Sequence, residues 1–339
     1  MAVLTRWAER HTGAGAGRQP ELLAGDGGRR QYYRLGNGRL VLSGPDAAEN
    51  LAWLRIGRHL WSKGLALPRI TVYDSGLGLF QLEDLGDRLL AFNPSEDLYF
   101  QAVELLARLH QKGLDGFDFR WCFQTRSYSS AMARKNEIEY FLWQLVDRYL
   151  GQALPKGLKP EVKALAVLAG SAEEGGRVLM HRDFQGRNLI DFQGRLWMLD
   201  WQGARLGPAV YDLSSLMEET PGHLLDDSRK EKLLRHYLKT RRMTSHFKSF
   251  RREMSLVGPV RMMQALGAYS KFTLEGKTRY VSYIFPALKR LVEMFQQKPL
   301  ADFPRLRAVA EEAMEAVGNK LIESLNIPNK VLFKSDDLS

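Results

Sequence analysis

The chain has 339 residues, of which 45% are hydrophobic and 26% charged, so it can bury a sizeable core in two lobes or two modest domains. It shows neither a secretory signal nor a run approaching the ~18 apolar residues of a membrane span, and its single cysteine, Cys122, excludes an internal disulfide framework; we expect a cytosolic protein. The formal net charge of +10 would suit nucleic acid, a membrane or a small anion, but the basic segment 229–252 lacks an aromatic stacking pattern, so we expect a solvated surface and no nucleic-acid or membrane partner.

Short apolar runs bounded by glycine and proline predict several strands before residue 83. These runs are Gln31–Leu35, Arg39–Leu42, Arg69–Tyr73 and Leu79–Leu82. Between them, the segment Glu49–Trp61 has leucines at helical spacing, and Gly64 lies just past its end. We therefore expect one helix embedded among short strands.

After residue 87 the apolar periodicity becomes helical. Pro94–Asp97 offers a helix start before a stripe that ends at Gly113. Further helices are predicted at about Ser129 to Leu150, Lys230–Lys239, Gly258–Tyr269, Ile284–Gln296 and Arg305–Val317. The last twenty residues, 320–339, have weak periodicity and predict a loosely ordered tail.

The segment Arg177–Asp200 interrupts these helices with two short strand-like pieces, Val178–Met180 and Leu196–Leu199, on either side of a polar loop. The spacing predicts a strand–loop–strand hairpin. Loops held on such a scaffold often carry the chemistry of an enzyme.

Two glycine motifs fail on spacing. Residues 13–18 begin like a dinucleotide loop, but Arg18 replaces the third glycine and no strand precedes it, so we predict a flexible leader. Gly276-Lys277-Thr278 ends like a phosphate-binding Walker A loop, but Lys271 stands where the first glycine belongs, so we predict a surface turn.

The polar loop and the residue after its second strand carry a pattern that suits phosphoryl transfer. Such a reaction needs a carboxylate at the acceptor hydroxyl and oxygen ligands for magnesium on the phosphates. Asp183 and Asn188 are five residues apart on the loop, and Asp200 follows the apolar run. With no Cys/His cluster at zinc spacing, any metal should be oxygen-ligated. We expect His181 to be a packed anchor and Arg182 to orient backbone or neutralise carboxylates.

These motifs resemble the aminoglycoside-phosphotransferase and choline-kinase branch of the protein-kinase-like fold, and within it the bacterial cell-wall amino-sugar kinases. The resemblance implies an α+β, two-lobed fold. A small antiparallel-sheet N-lobe with one helix would span residues 1–86, and a larger, mainly helical C-lobe would span 87–319, followed by the tail 320–339.

Carried over residue by residue, the resemblance implies Asp183 as catalytic base, with Arg187 also in the catalytic set, and Asn188 and Asp200 as magnesium ligands. Asp212 would be either a buried brace of the catalytic loop or the N-cap of the next helix. The nucleotide would be bound by a strand–turn–strand and by the backbone of a hinge, with these residues: Gly25, Asp26, Gly27, Gly28, Arg29, Arg30, Glu83 and Leu85.

One departure from protein kinases concerns the lysine on the third strand, because Ser43 stands near its place. The cell-wall sugar kinases resemble this chain in lacking it. Arg29, Arg30 or Arg39 could replace it, or could simply be solvated strand-edge charges. Glu49, where kinases keep the partner of that lysine, would then have a doubtful role.

The leading expectation is an ATP- and Mg²⁺-dependent kinase that phosphorylates the anomeric hydroxyl of N-acetylmuramate or N-acetylglucosamine. One alternative is an aminoglycoside or choline-like acceptor, and another is a pseudokinase scaffold that binds nucleotide without catalysis. The sequence leaves open the preferred sugar, ATP against GTP, and the oligomeric state.

Overall fold

The computed structural model describes residues 2–12, 20–23, 30–218 and 225–324. Contacts divide the chain into two compact units. The first is made of Met1–Tyr128 and Ala172–Met254, and the second of Ser129–Ser171 and Ser255–Ser339. The boundary predicted at 86/87 lies inside the first unit and stays a prediction.

The first unit contains an antiparallel sheet in the order β1-β2-β3-β5-β4. Its strands are β1 (Glu21–Leu23), β2 (Gln31–Arg34), β3 (Arg39–Ser43), β4 (Ile70–Asp74) and β5 (Leu79–Glu83). The predictions of β2 to β5 are confirmed within one residue at each end. β1 was not predicted, since three residues without buried alternation give no strand signal.

An N-terminal helix, α1 (Ala2–Thr12), was also not predicted. Its Leu4 and Trp7 form a buried cluster with Tyr33 and Val41 of the sheet. The helix therefore covers one face of β2 and β3, and this contact is what makes so short an amphipathic segment stable.

The predicted embedded helix is α2 (Ala47–Ser62), and it is fixed closely against the turn after Asp200. Asp46 caps it by accepting a hydrogen bond from the Glu49 N–H at 2.9 Å. Trp53 stacks on Trp201 with ring centroids 5.0 Å apart, and the Trp201 indole N–H donates to the Trp53 carbonyl at 2.8 Å. A Cβ on Gly57 would lie 2.7 Å from the Trp201 Nε1, so only glycine allows this approach.

We expect Gly57→Ala to destabilise the protein, although alanine normally favours a helix interior by up to about 1 kcal/mol. The added methyl would displace the Trp201 ring, and overpacking of this kind costs about 1–3 kcal/mol. Urea denaturation measures the difference, with Gly318→Ala as the matched helical control because its nearest neighbour, Phe285, would lie 3.4 Å away. A stability gain in both variants would contradict the packing argument.

The two predicted strand-like pieces do not pair with each other, so the prediction of one hairpin is wrong. β6 (Arg177–Met180) pairs antiparallel with β9 (Arg205–Pro208), whereas β7 (Leu189–Phe192) pairs with β8 (Arg195–Met198). No glycine or proline separates β7 from the end of the polar loop, so the sequence pattern assigned its residues to the loop. The loop of residues 181–188 consequently connects two different two-stranded sheets.

The helices of the first unit after α2 are α3 (Glu96–Lys112), α7 (Ala209–Met217) and α8 (Asp227–Thr240). α3 begins after Ser95, whose hydroxyl accepts from the Leu98 N–H at 3.2 Å, and it ends at Gly113 as predicted. It packs on α8 and on β6. α3 therefore lies directly under the strand that leads into the polar loop.

The second unit is helical where it is described. The helix predicted at about Ser129 to Leu150 is confirmed as a run of α4 (Ser130–Met132), α5 (Glu139–Phe141) and the π-helical stretches Ala133–Ile138 and Leu142–Tyr149. Its remaining helices are α6 (Lys159–Gly170), α9 (Phe247–Leu274, which begins in the first unit), α10 (Val281–Phe295) and α11 (Pro304–Ser324). α6 was not predicted.

Three further predictions concern the turn at Gly276, the C-terminal tail and the N-terminal leader. Gly276 has a φ of +87° and forms the predicted turn before Thr278. α11 continues to Ser324, so the first five residues of the predicted tail are helical, and 325–339 lie outside the described residues. The leader predicted at 13–18 also lies outside them. Across the described ranges no helix has the length and apolarity needed to span a membrane.

A buried histidine makes stability depend on pH. His59 in α2 packs against Phe117 and Trp121, and its Nε2 lies 2.8 Å from the Gly113 carbonyl oxygen. Burial lowers the pKa of His59 below its usual 6.5, and Lys63 lowers it further. The unfolded imidazole binds a proton at a higher pH than the folded one. The contribution of neutral His59 to the free energy of unfolding is therefore complete above pH 6.5 and is lost as the pH falls.

We therefore expect wild-type protein to lose up to about 1.4 kcal/mol more unfolding free energy than His59→Gln between pH 7.5 and 5.5. Glutamine keeps an N–H donor for Gly113 but does not titrate. Urea denaturation of both proteins at the two pH values measures the difference. Equal losses would show that His59 is not held neutral.

Candidate active site

The loop between β6 and β7 holds the predicted catalytic base, Asp183, and the predicted metal ligand Asn188 together. The Asn188 side-chain amide donates to the backbone carbonyl of Asp183 at 2.8 Å, and the Asn188 N–H donates to the Gln185 carbonyl at 2.8 Å. A 3₁₀ turn at Gly186–Asn188 closes the loop. With its amide nitrogen engaged, Asn188 has its amide oxygen left to meet a ligand.

Asp200 lies next to Asn188 through the β7/β8 ladder. The Leu199 N–H donates to the Asn188 carbonyl at 2.8 Å, which extends the pairing one step beyond Met198. Asp200 has a left-handed φ of 58°, a conformation that costs a non-glycine residue on the order of 1 kcal/mol and is common at functional sites. Its side chain is 38% exposed, so the carboxylate is accessible.

The donor atoms present fit magnesium bound largely through phosphates. Mg²⁺ takes one or two protein oxygens and completes its octahedron with substrate phosphates and water. Asn188 and Asp200 supply one amide and one carboxylate oxygen. Within the described ranges no group of three or more His, Cys, Asp or Glu side chains could form a metal cage of its own.

Asp212 braces the loop and does not cap a helix. α7 begins at Ala209, so Asp212 lies inside the helix, and its side chain is fully buried. Its two carboxylate oxygens accept hydrogen bonds from the backbone N–H groups of His181 and Arg182, at 2.7 and 2.8 Å. Of the two alternatives left by the sequence, the N-cap is therefore wrong. Arg182 has a φ of 78°, and the bond from its N–H helps to hold that strained backbone.

A buried hydrogen-bond chain, formed by Arg241, Tyr237, His110 and Asp212, supports this brace. The Arg241 guanidinium donates to the Tyr237 hydroxyl at 2.8 Å, and that hydroxyl lies 2.7 Å from His110 Nδ1. Burial lowers the pKa of His110, so the ring is neutral at pH 7. Since a guanidinium can only donate, the Tyr237 O–H donates to Nδ1 and the His110 Nε2–H donates to Asp212 at 3.1 Å.

His181 is buried, and its Nε2 lies 2.8 Å from the Leu199 carbonyl oxygen. It therefore ties the start of the loop to the residue before Asp200, as expected of a packed anchor.

A further arginine, Arg205, interacts with Asp183. Arg205 is buried, and it donates to the Gly203 carbonyl and to the side chains of Thr125 and Gln124 at 2.6–2.9 Å. Burial and the positive charge of Arg182 lower the pKa of Arg205 to about 10, whereas the Asp183 carboxylate raises it. Arg205 thus stays cationic at neutral pH and offsets the negative charge of Asp183.

Arg187 is also buried, with its guanidinium over the Phe92 ring at 5.7 Å. The structure brings it onto the same loop as Asp183. Its catalytic role stays a prediction.

The predicted hinge is tied to the sheet by Arg34 of β2. The Arg34 guanidinium donates to Asp84 at 2.7 and 3.1 Å and to Asp87 at 2.9 Å, and these contacts raise the pKa of Arg34. Glu83 ends β5, and its N–H points to the Arg69 carbonyl at 3.4 Å. The Leu85 N–H donates no hydrogen bond in the described part of the chain, so it can serve an adenine edge.

Of the predicted nucleotide-covering turn, Gly25, Asp26, Gly27, Gly28 and Arg29 lie outside the described residues. Arg30 is described and buried. Its guanidinium contacts Glu49 of α2 at 3.1 Å and Asp200 at 3.4 Å. Glu49, whose role the sequence left doubtful, therefore has a cationic partner.

Three residues that shape the site could not be predicted from their sequence context. His110 stands alone on an apolar helix face, Arg205 resembles a strand-edge charge, and Trp201 resembles an ordinary core aromatic. The signal that could have found Trp201 is Gly57, a glycine inside an otherwise favourable helix, which often marks a close approach.

The sequence matches a known family over much of its length. The model of the phosphotransferase enzyme family matches residues 21–245. A relative from Pseudomonas putida named N-acetylmuramate/N-acetylglucosamine kinase is 25% identical over 307 residues, which cover 86% of this chain and 88% of the relative. A relative of the same name from Caulobacter vibrioides is 28% identical over 312 residues, covering 78% and 84%.

A solved structure of a choline/ethanolamine kinase family protein from Mesorhizobium loti is similar in fold. The TM-score is 0.59 at 16% identity, over 91% of this chain and 98% of that one. The predicted protein-kinase-like α+β fold is confirmed.

Proposed function

We propose that this chain, which belongs to the phosphotransferase enzyme family, phosphorylates an N-acetylated amino sugar, N-acetylmuramate or N-acetylglucosamine. It is a small-molecule kinase. The assignment of the sugar rests on the similarity, over most of both chains, to relatives named for these two acceptors. The site supports the reaction type, because it gathers Asp183, Asn188 and Asp200 around one loop.

In the proposed reaction the anomeric hydroxyl attacks the γ-phosphorus of ATP, and Asp183 accepts the proton of that hydroxyl. A bond forms between the sugar oxygen and phosphorus as the bond to the β-phosphate oxygen breaks, giving a sugar 1-phosphate and ADP. Asn188 and Asp200 would hold Mg²⁺, which neutralises charge on the phosphates when bound. The positive charge of Arg205 favours the ionised form of Asp183 that this step requires.

The nucleotide would lie along the hinge, with the backbone of Glu83 and Leu85 at the adenine. The clamp of Arg34 on Asp84 and Asp87 keeps this segment in place. The net charge of +10 favours the acidic sugar N-acetylmuramate over a cationic acceptor. We place this reaction in the cytosol, in the recycling of cell-wall sugars.

The test combines an acceptor panel with product analysis. Purified protein with Mg²⁺ and either ATP or GTP is offered N-acetylmuramate, N-acetylglucosamine, an aminoglycoside and choline, and nucleoside diphosphate release is followed. Phosphorus NMR with proton coupling then identifies the phosphorylated hydroxyl. We expect turnover with the two acetylated sugars and a phosphate on the anomeric carbon. Turnover with only the aminoglycoside or choline, or a phosphate on another hydroxyl, would overturn the proposal.

A further inference from the structure

Arg30 is a buried cation placed at the proposed phosphate site. Its side chain is only 5% exposed, and such burial is unfavourable unless acids lie beside it. Glu49 and Asp200 are those acids. In the described part of the chain, Glu49 and Asp200 form salt bridges with Arg30 alone.

The guanidinium of Arg30 keeps hydrogen-bonding capacity for a ligand. Of its five N–H groups, those of Nη2 face the Glu49 side chain at 3.1 Å and the Glu49 carbonyl at 3.5 Å, and Nη1 faces Asp200 at 3.4 Å. The Tyr32 hydroxyl also lies against this guanidinium. Contacts of 3.4–3.5 Å are weak. The buried Nε has no hydrogen-bond partner among the described residues. A planar fork of this kind matches phosphate oxygens.

The sheet register explains how Arg30 can stand in for the missing third-strand lysine. Gln31 of β2 pairs with Ser43 of β3. Arg30 immediately precedes Gln31, so it lies at the end of the sheet where Ser43 lies. Arg39 pairs with Glu83 at the opposite end of β3, four residues and roughly 13 Å away. Arg30 is therefore much better placed than Arg39.

From this geometry we infer that Arg30, held by Glu49, anchors the phosphates of the nucleotide donor; the inference rests on the proposed function. In protein kinases a third-strand lysine, paired with a glutamate of the following helix, does this work. Here the cation is Arg30, which immediately precedes β2, and the glutamate is Glu49 of α2. Phosphates bound at Asp200 would lie beside the Arg30 guanidinium, because these two side chains are in contact.

The test compares nucleotide binding with and without phosphates, in the absence of sugar. Calorimetry measures ADP and adenosine binding to wild-type protein, Arg30→Met, Arg30→Gln and Arg39→Met. We expect both Arg30 variants to bind ADP at least tenfold more weakly and adenosine within twofold of wild type. Arg39→Met should bind both ligands normally. Arg30→Gln keeps a polar side chain next to Glu49, and it is the decisive variant if methionine prevents folding.

Glu49→Gln should weaken ADP binding severalfold. In the Arg30→Gln background it should cause no further loss of ADP affinity, because both substitutions remove the same Arg30–Glu49 pair. Equal losses for ADP and adenosine, normal ADP binding by Arg30→Gln, or a loss confined to Arg39→Met would each overturn the inference. The nucleotide-binding test contains no sugar, so its result does not depend on the acceptor. If the affinities are as expected but no acetylated sugar is phosphorylated in the acceptor panel, only the sugar assignment is rejected.

Discussion

Asp183→Asn should lower kcat with the correct sugar by about 10²–10⁴, which is the contribution of a general base. Asparagine has nearly the same shape as aspartate but cannot accept the proton of the attacking hydroxyl. The KM for the nucleotide should change little, since Asn188 and Asp200 are untouched. Steady-state kinetics with both substrates varied measures this separation.

The matched control is Asp115→Asn. Asp115 is a highly exposed acid of the same unit, and its recorded partner is Lys63 at 2.6 Å. This variant should keep wild-type kinetics. If Asp183→Asn retained kcat within a few fold of wild type, Asp183 would not be the base.

Removal of the Asp212 carboxylate should damage both stability and turnover. In Asp212→Ala, the N–H groups of His181 and Arg182 and the Nε2–H of His110 lose a charged acceptor inside the core. A hydrogen bond to a charged group contributes about 1.5–3 kcal/mol, so we expect a loss of at least 3 kcal/mol in unfolding free energy. The strained backbone at Arg182 would also relax and move the loop that carries Asp183.

Asp226→Ala separates this brace from an ordinary helix cap. Asp226 caps α8 by accepting from the Arg229 N–H at 2.8 Å, and its loss should cost about 1 kcal/mol with kcat unchanged. For the conservative Asp212→Asn, assayed well below its melting temperature, we expect kcat to fall while ADP affinity is retained. Normal kcat in that variant would mean that Asp212 stabilises the fold without positioning the loop.

Local sequence patterns were enough to predict the short strands of the first sheet. Glycine and proline bound β2 to β5, so those strands could be placed within a residue. The spacing of Asp183, Asn188 and Asp200 likewise singled out the loop 181–188 and the end of β8, because metal and base chemistry fix the types of residue and their separation; the roles of these residues stay predictions.

Pairings between distant segments could not be predicted in the same way. β6 and β9 pair although the loop 181–188 and two further strands lie between them in the chain, and no signal at Met180 indicates that Arg205 will lie beside it. His110 finds Asp212, which follows 102 residues later, only because α3 and α7 both pack near β6. Arg30 was one of three candidate cations, and the register of β2 against β3 favours it over Arg39.

The contact between Gly57 and Trp201 has a consequence for inheritance. Because a methyl at position 57 and an indole at position 201 would occupy the same space, position 57 cannot gain a side chain while the indole is kept. A lineage that acquires alanine at position 57 should first, or at once, have replaced the indole with a smaller ring such as phenylalanine. Homologues should therefore carry these two positions as a linked pair, although they lie 144 positions apart in the chain.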